Sequence, residues 1–246
     1  MWIFCCGMQR SGSTLQFQLT ARLVEVAGWG RRVEWAKPER FGKLRRQFAN
    51  DPCWKVFKIH VCTDQMAKEF QRGNAMGVYT FRDLRDVIVS TMRKYELSFD
   101  KLMGGNFLDN CLEQYRRWTA LPRVLTSKYE DMIANLPREV ERIAGHLGVA
   151  LSAETYQQIA AEHTLAQQKE RIEASIKKGE LREGVVKGMF YDPNTNLHTN
   201  HIHEGAVGGW KEVLSPGQAQ CLEDKTADWL VAHGYELAGE KETASK

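Results

Sequence analysis

Several features that would place this chain in other classes of protein are missing from its sequence. The six cysteines include no C-x-x-C pair and are scattered, so the sequence has neither the spacing of a structural zinc site nor a disulfide framework. No apolar run is long enough to cross a membrane, and the N-terminus lacks the basic segment of a signal peptide. We therefore expect reduced thiols in a cytoplasmic protein that does not bind a membrane.

The charge of the chain is too small to identify a partner by itself. The net charge is +3 at pH 7, and hydrophobic residues make up 43% of the chain. These values are ordinary for a globular protein and give no indication of nucleic-acid binding, although they allow a local basic pocket. The length of 246 residues fits one large domain, which we predict to span residues 1–246.

What the sequence does have is an anion-binding pattern in its first twenty residues. The apolar run Met1–Cys6 leads into the turn Gly7–Thr14, and a helix-like segment, Leu15–Ala27, follows directly. A helix that begins after a strand and a glycine turn presents backbone N–H groups and the positive end of its dipole to a ligand. Arg10 adds a fork of N–H groups that matches phosphate oxygens. The pattern predicts a phosphorylated nucleotide as ligand.

The turn differs from the Walker A phosphate loop at one position. Gly7 and Gly12 have the Walker A spacing to within one residue, but Ser13 stands where that motif has its lysine. The missing lysine argues against a small-molecule or nucleotide kinase that uses ATP and Mg²⁺, which is the second hypothesis. A third hypothesis is a nucleotide-binding module without activity. Taken alone, the turn is also compatible with a plain connection from a strand to a helix.

Segments typical of strands and helices alternate along the chain. Strands are predicted at Arg32–Trp35, Trp54–His60, Ala75–Phe81 and after Pro122, and helices at Thr63–Arg72, Asn106–Thr119, Asn135–Leu147, Ser152–Glu162 and Gly217–His233. This alternation predicts an α/β fold with three layers, α/β/α, around a central parallel sheet of the P-loop NTPase-like type. The weakly patterned residues 180–208 are predicted to form a flexible lid, and residues 239–246 a frayed tail.

Two ionisable side chains close the second clear strand. Lys58 and His60 are two residues apart, so they point to the same side of a strand. They lie at its carboxyl end, where α/β sheets bind their ligands. The spacing therefore predicts that both side chains face the same site.

Five motifs, in order from Met1 to Lys211, together resemble those of the PAPS-dependent sulfotransferases. The turn Gly7–Thr14 resembles the 5′-phosphosulfate loop of that family, and Lys58-Ile59-His60 resembles its Lys-Thr-His strand end. Arg82–Ser90 is similar to the 3′-phosphate motif Arg-Asn-Pro-Arg-Asp-Val-x-x-Ser, and Lys128–Met132 to the Tyr-Glu-Asp-Leu/Met segment. Glu204–Lys211 resembles the late motif Lys-Gly-x-x-Gly-Asp-Trp-Lys.

The resemblance implies roles for individual residues. His60 would be the general base, since a neutral imidazole can accept a proton near pH 7, and Lys58 and Arg10 would neutralise charge during an in-line transfer. The implied cosubstrate is PAPS, and the implied acceptor is a hydroxyl of a small molecule; no metal is required. The implied PAPS contacts are Arg10, Ser11, Gly12, Ser13, Thr14, Arg82, Ser90, Tyr129, Gly205, Trp210 and Lys211. Arg10 and Arg82 would form two separate cationic pockets, one at each end of the nucleotide.

Several points stay open at the level of sequence. Glu34 is the alternative base, because some branches of the family use a carboxylate. His203-Glu204 stands where the family usually has an Arg-Lys pair, and Leu15 where an adenine-stacking tryptophan is common, so Trp210 is an alternative stacking partner. His198, His201 and His203 have a spacing that would also suit a metal. The acceptor is expected at Phe99–Gly105 and Gly184–His203, its identity is not readable, and the oligomeric state is open.

Overall fold

The strands of the computed structural model form a parallel sheet that is flanked by helices on both faces. The structure describes residues 1–184, 188–199 and 205–238. Within these residues the main sheet has five strands in the order β2-β3-β1-β4-β5. Their bounds are β1 Trp2–Gly7, β2 Gly30–Arg32, β3 Trp54–Lys58, β4 Ala75–Phe81 and β5 Val124–Lys128. The predicted α/β fold with a central parallel sheet is confirmed.

The central strand explains why the first apolar run is uninterrupted. β1 pairs with β3 on one side, with Cys5 opposite Lys58, and with β4 on the other, with Gly7 opposite Thr80. All six of its residues are buried, as expected for a parallel strand covered on both faces. Because the three strands run in the same direction, their carboxyl ends lie at one edge of the sheet, where β1 leads into the glycine turn.

The alternate residues of β1 belong to two separate hydrophobic cores. Trp2 and Phe4 pack in the core that also holds Phe41, Phe57 and Trp118. The other core contains the alternate β1 side chains Ile3 and Cys5 together with residues of α1 (Ser13–Val26), α8 (Leu136–Leu147) and α9 (Ala153–Ala161). The sheet therefore separates two helical layers, as the prediction of three layers requires.

The helices begin and end near the predicted positions. In order, the remaining ones are α2 Phe41–Gln47, α3 Asp64–Gln71, α4 Leu84–Tyr95, α5 Phe99–Met103, α6 Phe107–Thr119, α7 Tyr129–Ala134, α10 Leu165–Lys178 and α11 Pro216–Ala232. Thr63 caps α3 by accepting a hydrogen bond from the Met66 amide, and Ser215 forms a capping box with Gln218 at α11. Helix α8 ends at Gly148 with a positive φ of 74°.

Two strand predictions differ from the structure. The strand predicted at Arg32–Trp35 lies earlier, at Gly30–Arg32. Gly30 packs so closely against the next strand that a Cβ atom would be 2.2 Å from the carbonyl oxygen of Trp54. The alternation of polar and apolar side chains at Arg32–Trp35 continues past the end of this strand. The Val33 amide still donates to Val56 O at 2.8 Å. Strand β3 ends at Lys58, so His60 lies just beyond the strand.

The weakly patterned region holds a small hairpin above the sheet. β6 (Arg182–Glu183) pairs antiparallel with β7 (Phe190–Tyr191), and Tyr191 also forms a bridge to His198. We call residues 188–199 the strap. The predicted lid, 180–208, includes residues 185–187 and 200–204, and these lie outside the described residues, as does the predicted tail.

Two of the sequence expectations about the environment of the chain can be compared with the structure. All six cysteines are free thiols, and Cys5, Cys6, Cys62 and Cys111 are buried. In the described part of the chain, no helix combines the length and the apolar character needed to cross a lipid bilayer. The cytoplasmic location stays a prediction.

Candidate functional site

A large cavity of about 1010 Å³ lies at the carboxyl edge of the sheet. Its walls come from the β1–α1 loop, the end of β3, the beginning of α7, helix α4 and the strap. This is the edge at which open α/β sheets bind ligands. The volume is at the upper end of the range of about 300–1,000 Å³ for ligand pockets, so the cavity has room for two molecules side by side.

The β1–α1 loop adopts a conformation that exposes the N-terminus of α1 to the cavity. Arg10 and Gly12 have positive φ angles of 66° and 82°. A Cβ atom on Gly12 would lie 2.6 Å from the Tyr129 ring, so this position requires glycine. Ser13 and Thr14, the first residues of α1, line the cavity, and the N-cap residue, Gly12, has no side chain with which to cap the helix. The start of α1 thus faces the cavity at Gly12, Ser13 and Thr14, and anion binding there stays a prediction.

Ser11 differs from its neighbours because its hydroxyl turns toward the sheet. The side chain is fully buried, with Oγ 2.7 Å from the carbonyl oxygen of Met8 and 2.9 Å from Thr80 Oγ1. Ser11 does not line the cavity. Its hydroxyl therefore holds the loop against β4, and any contact with a ligand would have to come through its backbone.

The two arginines of the predicted site lie along one continuous wall. Arg10 Nε donates to Ser90 Oγ at 2.9 Å, and Arg82 Nη1 donates to the carbonyl oxygen of Arg10 at 3.4 Å. Burial, with a contribution from the positive charge of Arg82, lowers the pKa of Arg10 to about 10. Hydrogen bonds thus connect Arg10 to both Ser90 and Arg82 along one cavity wall, and the two cationic pockets expected from the sequence stay a prediction.

Arg82 is held rigidly at one end of this wall. Its Nη2 donates to Ala206 O at 2.6 Å and lies 3.4 Å from Asp86 Oδ2, and its guanidinium carbon is 4.4 Å from the centroid of the Tyr129 ring. Its Nε is buried and has no hydrogen-bond partner among the described residues. A buried N–H group without a partner is costly, which makes this nitrogen a candidate donor to a bound anion.

Tyr129 and Gly205 meet at the same end of the cavity. The Tyr129 hydroxyl donates to the carbonyl oxygen of Gly205 at 3.1 Å, and both residues line the cavity together with Leu15. The Tyr129 ring lies between Gly12 on one side and the Arg82 guanidinium on another. This aromatic surface beside an arginine suits the flat base of a nucleotide.

Lys58 and His60 both line the cavity, as the sequence spacing predicts. Burial, reinforced by the charge of Arg10, lowers the pKa of Lys58 to about 8. Burial, followed by the charge of Lys58, lowers the pKa of His60 to about 3, so the imidazole is neutral. His60 Nδ1 lies 2.8 Å from the carbonyl oxygen of Gly7, and since a carbonyl can only accept, Nδ1 carries the proton. The Nε2 atom therefore has a free lone pair.

Other predicted residues do not reach the cavity. Trp210 is buried under Arg85, whose guanidinium carbon is 4.1 Å from the centroid of the Trp210 ring. The backbone amide of Trp210 donates to Asp86 Oδ1 at 2.9 Å. Neither Trp210 nor Lys211 lines the cavity, so a nucleotide bound in the cavity would not touch their side chains in this arrangement. Glu34 is exposed and forms an ion pair with Arg182 beside a separate small groove.

Of the residues predicted to bind the acceptor or a metal, some line the cavity, some do not, and some lie outside the described residues. The strap lines the cavity through Met189, Tyr191 and His198, whereas no residue of Phe99–Gly105 does, because Phe99 and Leu102 pack in the core. His201, His203 and Glu204 lie outside the described residues, so the structure does not address the alternative metal site or the altered part of the late motif.

Lys94, Tyr95 and His198 line the cavity as well, and sequence reasoning assigned no role to the first two. Lys94 lies one helical turn after Ser90, so a search at i+4 spacing along α4 would have found it. Burial, followed by the charges of Arg10 and Lys58, lowers its pKa to about 7. No local pattern predicts that His198 reaches the cavity, since it comes there through its bridge to Tyr191.

Comparisons with known proteins agree with this geometry. The family model described as the sulfotransferase domain matches residues 2–232. Among curated proteins, the chain is 23% identical over 198 residues to zebrafish Sulfotransferase 6B1, covering 74% of this chain and 60% of that protein. It is 25% identical over 188 residues to mouse Sulfotransferase 1A1, covering 69% and 60%. The chain thus spans about three fifths of the length of these relatives.

Solved structures with the same fold contain a nucleotide. Mouse sulfotransferase SULT7A1 complexed with PAP superposes with a TM-score of 0.67 at 14% identity, covering 92% of this chain and 83% of that one. Retinol dehydratase in complex with androsterone and the inactive cofactor PAP gives a TM-score of 0.62 at 20% identity, covering 93% and 80%. At these identities the superpositions establish a shared fold.

Proposed function

We propose that this chain, which belongs to the sulfotransferase domain family, transfers a sulfuryl group from PAPS to a hydroxyl of a small-molecule acceptor. The observation that carries the proposal is the single cavity that combines three features. These are the N-terminus of α1 with glycine as its N-cap, the buried Arg82 Nε without a partner among the described residues, and a neutral imidazole beside Lys58. The first two suit the anionic groups of a bisphosphorylated nucleotide, and the third suits a proton transfer.

In the proposed complex the nucleotide lies along this wall with its adenosine end at Arg82 and Tyr129. Its 3′-phosphate would accept hydrogen bonds from Arg82 and Ser90, and its adenine would lie against Tyr129 and Leu15. The phosphosulfate would then reach the N-terminal N–H groups of α1 at Ser13 and Thr14. The hydrogen bond from Arg10 to Ser90 supports this orientation, because it links the β1–α1 loop, proposed for the phosphosulfate, to a residue proposed for the 3′-phosphate.

In the proposed reaction, His60 acts on the acceptor and Lys58 on the leaving group. Nε2 of His60 takes the proton of the acceptor hydroxyl. The acceptor oxygen forms a bond to sulfur while the bond between sulfur and the 5′-phosphate oxygen breaks. Lys58 and the N-terminus of α1 neutralise the charge that grows on this leaving oxygen. Transfer is in line and loose, by analogy with phosphoryl transfer, so positioning and cations supply most of the rate enhancement.

The low pKa of His60 is compatible with this role. Lys58, Lys94 and Arg10 all contribute to lowering it in the ligand-free protein. A bound nucleotide brings negative charge to these cations and offsets their effect, which raises the pKa of His60 toward the neutral range that suits a general base. The hydrogen bond that Trp118 Nε1 donates to His60 O, at 2.9 Å, holds the backbone in place meanwhile.

A binding comparison tests the proposal. We expect PAP to raise the melting temperature, because a ligand at 100 times its Kd stabilises the folded state by about 2.7 kcal/mol. For a chain of this size, this corresponds to roughly 5–10 °C. ADP with Mg²⁺ serves as the control for a kinase. Turnover is then measured with labelled PAPS and a panel of phenols and alcohols.

The possible results separate the hypotheses. A shift with ADP and Mg²⁺ but none with PAP would favour the kinase. A shift with PAP without transfer to any hydroxyl would favour a binding module. Protection by PAP together with labelled product would support the sulfotransferase.

A further inference from the structure

Asp86 is a buried carboxylate on the cavity wall to which the proposed nucleotide contacts give no role. Only 3% of the residue is exposed, and it lies in the first turn of α4. Its Oδ2 atom is 3.4 Å from Nη2 of Arg82, the residue that we propose for the 3′-phosphate. A negative charge beside a phosphate site weakens phosphate binding by repulsion, so this carboxylate must serve another purpose there.

The two oxygens of this carboxylate hold a loop from a distant part of the chain. We call residues 205–210 the late loop. The amide of Gly208 donates to Asp86 Oδ2 at 2.8 Å, and the amide of Trp210 donates to Oδ1 at 2.9 Å. Gly208 is the N-cap of a short 3₁₀ helix, Gly209–Glu212, so Asp86 supplies the acceptors that a glycine cap lacks.

The late loop in turn contacts two residues of the proposed adenosine end. The carbonyl oxygen of Ala206 accepts from Arg82 Nη2 at 2.6 Å, and that of Gly205 accepts from the Tyr129 hydroxyl at 3.1 Å. Asp86, the late loop and Arg82 therefore form a closed ring of contacts. Both hydrogen bonds to the loop and the ion pair to Arg82 come from the one carboxylate.

The contacts of Arg82 fix the direction of its guanidinium group. Nη2 donates to Ala206 O, and Nη1 donates to the carbonyl oxygen of Arg10 at 3.4 Å. Because a guanidinium is planar, holding its two Nη atoms also sets the direction of Nε–H, which has no partner among the described residues. The late loop therefore helps to set where Arg82 presents this N–H, and Asp86 holds the late loop.

We propose that Asp86 is a positioning residue for recognition of the 3′-phosphate, which orients Arg82 by anchoring the late loop. The inference rests on the proposed function, because the 3′-phosphate belongs to the nucleotide of that proposal. Two effects of the carboxylate oppose each other. Its charge repels a phosphate, whereas its hold on the late loop preorganises the donors of Arg82. The sign of the change in affinity when the charge is removed distinguishes them.

Asp86→Asn separates the two effects because it removes the charge and keeps the shape of the side chain. The new amide retains one acceptor oxygen and places an NH₂ group where the second backbone amide needs an acceptor. Kd values for PAP and AMP are measured by calorimetry for the unmodified chain, Asp86→Asn, Arg82→Ala and the double variant.

The matched control is Asp109→Asn. Asp109 is an exposed acidic residue in the first turn of α6, as Asp86 is a buried one in the first turn of α4. The control therefore removes the same charge from the start of a helix, where it is favourable to the helix dipole, but outside the cavity wall.

We expect Asp86→Asn to weaken PAP binding by about 10- to 100-fold, the range of hydrogen bonds to a charged group. AMP, which lacks the 3′-phosphate, should lose much less affinity, so the preference for PAP over AMP falls. In the Arg82→Ala background, Asp86→Asn should change this preference little, because a residue that acts through Arg82 has no effect once that side chain is removed. Asp109→Asn should leave both Kd values unchanged.

Hydrogen exchange at two backbone amides tests the anchoring directly. The amides of Gly208 and Trp210 should exchange faster in Asp86→Asn, where they lose an acceptor. In the unmodified chain, PAP should slow their exchange more than AMP does, since coupling between the late loop and the phosphate site is reciprocal. The second measurement needs no variant, so it decides the question even where Asp86→Asn does not fold.

Five results would overturn the inference. These are PAP binding that is unchanged or tighter in Asp86→Asn, an equal loss of PAP and AMP affinity, additive losses in the double variant, a loss of the same size in Asp109→Asn, and equal slowing of the two amides by PAP and AMP. Failure of the proposed function looks different. An unmodified chain that does not bind PAP would reject the sulfotransferase and this inference with it, whereas each of the five results is obtained with a chain that binds PAP.

Discussion

The two walls of the cavity are built in different ways. The nucleotide wall, formed by the β1–α1 loop and the beginnings of α4 and α7, consists of strand ends and helix starts that the sheet brings to one edge. Its geometry depends on local requirements such as the positive φ of Gly12. The wall therefore follows from short motifs, each of which folds in nearly the same way wherever it is placed on a parallel sheet.

The acceptor wall depends on contacts between distant parts of the chain. The strap is held by hydrogen bonds from Gln18 Nε2 to Thr195 O at 2.9 Å and from Ser175 Oγ to Asp192 Oδ2 at 2.7 Å. Arg32 Nη1 also donates to Asn194 O at 2.7 Å. None of these pairs has a sequence spacing that predicts it. The comparison teaches that the wall to which we assign the nucleotide is built largely from recognisable local motifs, whereas the wall to which we assign the acceptor is held by contacts that local sequence does not predict.

The largest expected effect concerns the base on the nucleotide wall. His60→Ala should lower kcat by about 10²- to 10⁴-fold, because it removes the positioned proton acceptor. The Kd for PAP should change little, since the imidazole has no proposed nucleotide contact. Single-turnover kinetics with labelled PAPS and any accepted phenol measure the first quantity, and calorimetry measures the second.

The matched control for this variant is Glu34→Gln. Glu34 is the alternative base, but its carboxylate pairs with Arg182 outside the cavity. We expect its kcat to stay within about twofold of the unmodified chain. A large loss of kcat in Glu34→Gln together with normal turnover in His60→Ala would identify Glu34 as the base and contradict the role proposed for His60.

Arg82 tests whether the nucleotide wall recognises the 3′-phosphate. Arg82→Ala should weaken PAP binding by roughly 100-fold, in the range found for truncating one partner of a buried charge pair. AMP, which lacks the 3′-phosphate, should be affected much less, so the variant loses its preference for PAP over AMP. Arg138→Ala, at an exposed arginine of α8, is the control. An equal loss for PAP and AMP would indicate a purely structural role for Arg82.

How much of the nucleotide wall was predictable can be judged from particular residues. The strand period predicted that Lys58 and His60 share a side, and both line the cavity, although β3 ends at Lys58 and His60 follows it. Gly12 has the positive φ that a glycine turn favours. Ser11 could not be predicted correctly from its type. A hydroxyl in such a loop faces either the ligand or the sheet, and Thr80, from a strand 69 residues away, decides between them.

The acceptor wall was predictable only in outline. The scarcity of apolar periodicity after Gly184 correctly indicated a segment over the site, and the strap does line the cavity. The same argument does not hold for Phe99–Gly105, because this poorly patterned stretch contains a short helix whose Phe99 and Leu102 are buried in the core and does not line the cavity. Burial of single side chains in a short helix depends on neighbours that the local sequence does not reveal.

A change of pH sharpens the comparison between Lys58 and Lys94. The pKa of Lys58 is about 8 in the ligand-free chain, so much of this side chain is neutral at pH 8.5. Bound PAP favours the charged form and raises this pKa, so binding takes up a proton, and the affinity for PAP falls as the pH rises above 8. The fall is at most about tenfold per pH unit for one linked proton.

Calorimetry in two buffers of different ionisation enthalpy measures the proton uptake at pH 8.5. We expect up to about one proton per PAP, and Lys58→Met should remove most of it. Release of protons would contradict the proposed contact between Lys58 and the nucleotide. So would an uptake that is unchanged in Lys58→Met but lost in Lys94→Met.

The smallest expected effect separates stability from acceptor binding. Ser175→Ala removes the hydrogen bond to Asp192 that holds the strap, and Ser215→Ala removes the N-cap of α11, which lies outside the cavity wall. Each should lower the free energy of unfolding by about 1 kcal/mol. Only Ser175→Ala should also raise the acceptor KM, by roughly two- to fivefold, because Tyr191 and His198 belong to the strap. Equal KM values in the two variants would mean that the strap does not position the acceptor, and selectivity would then have to come from the other lining residues, such as Trp35 and Leu165.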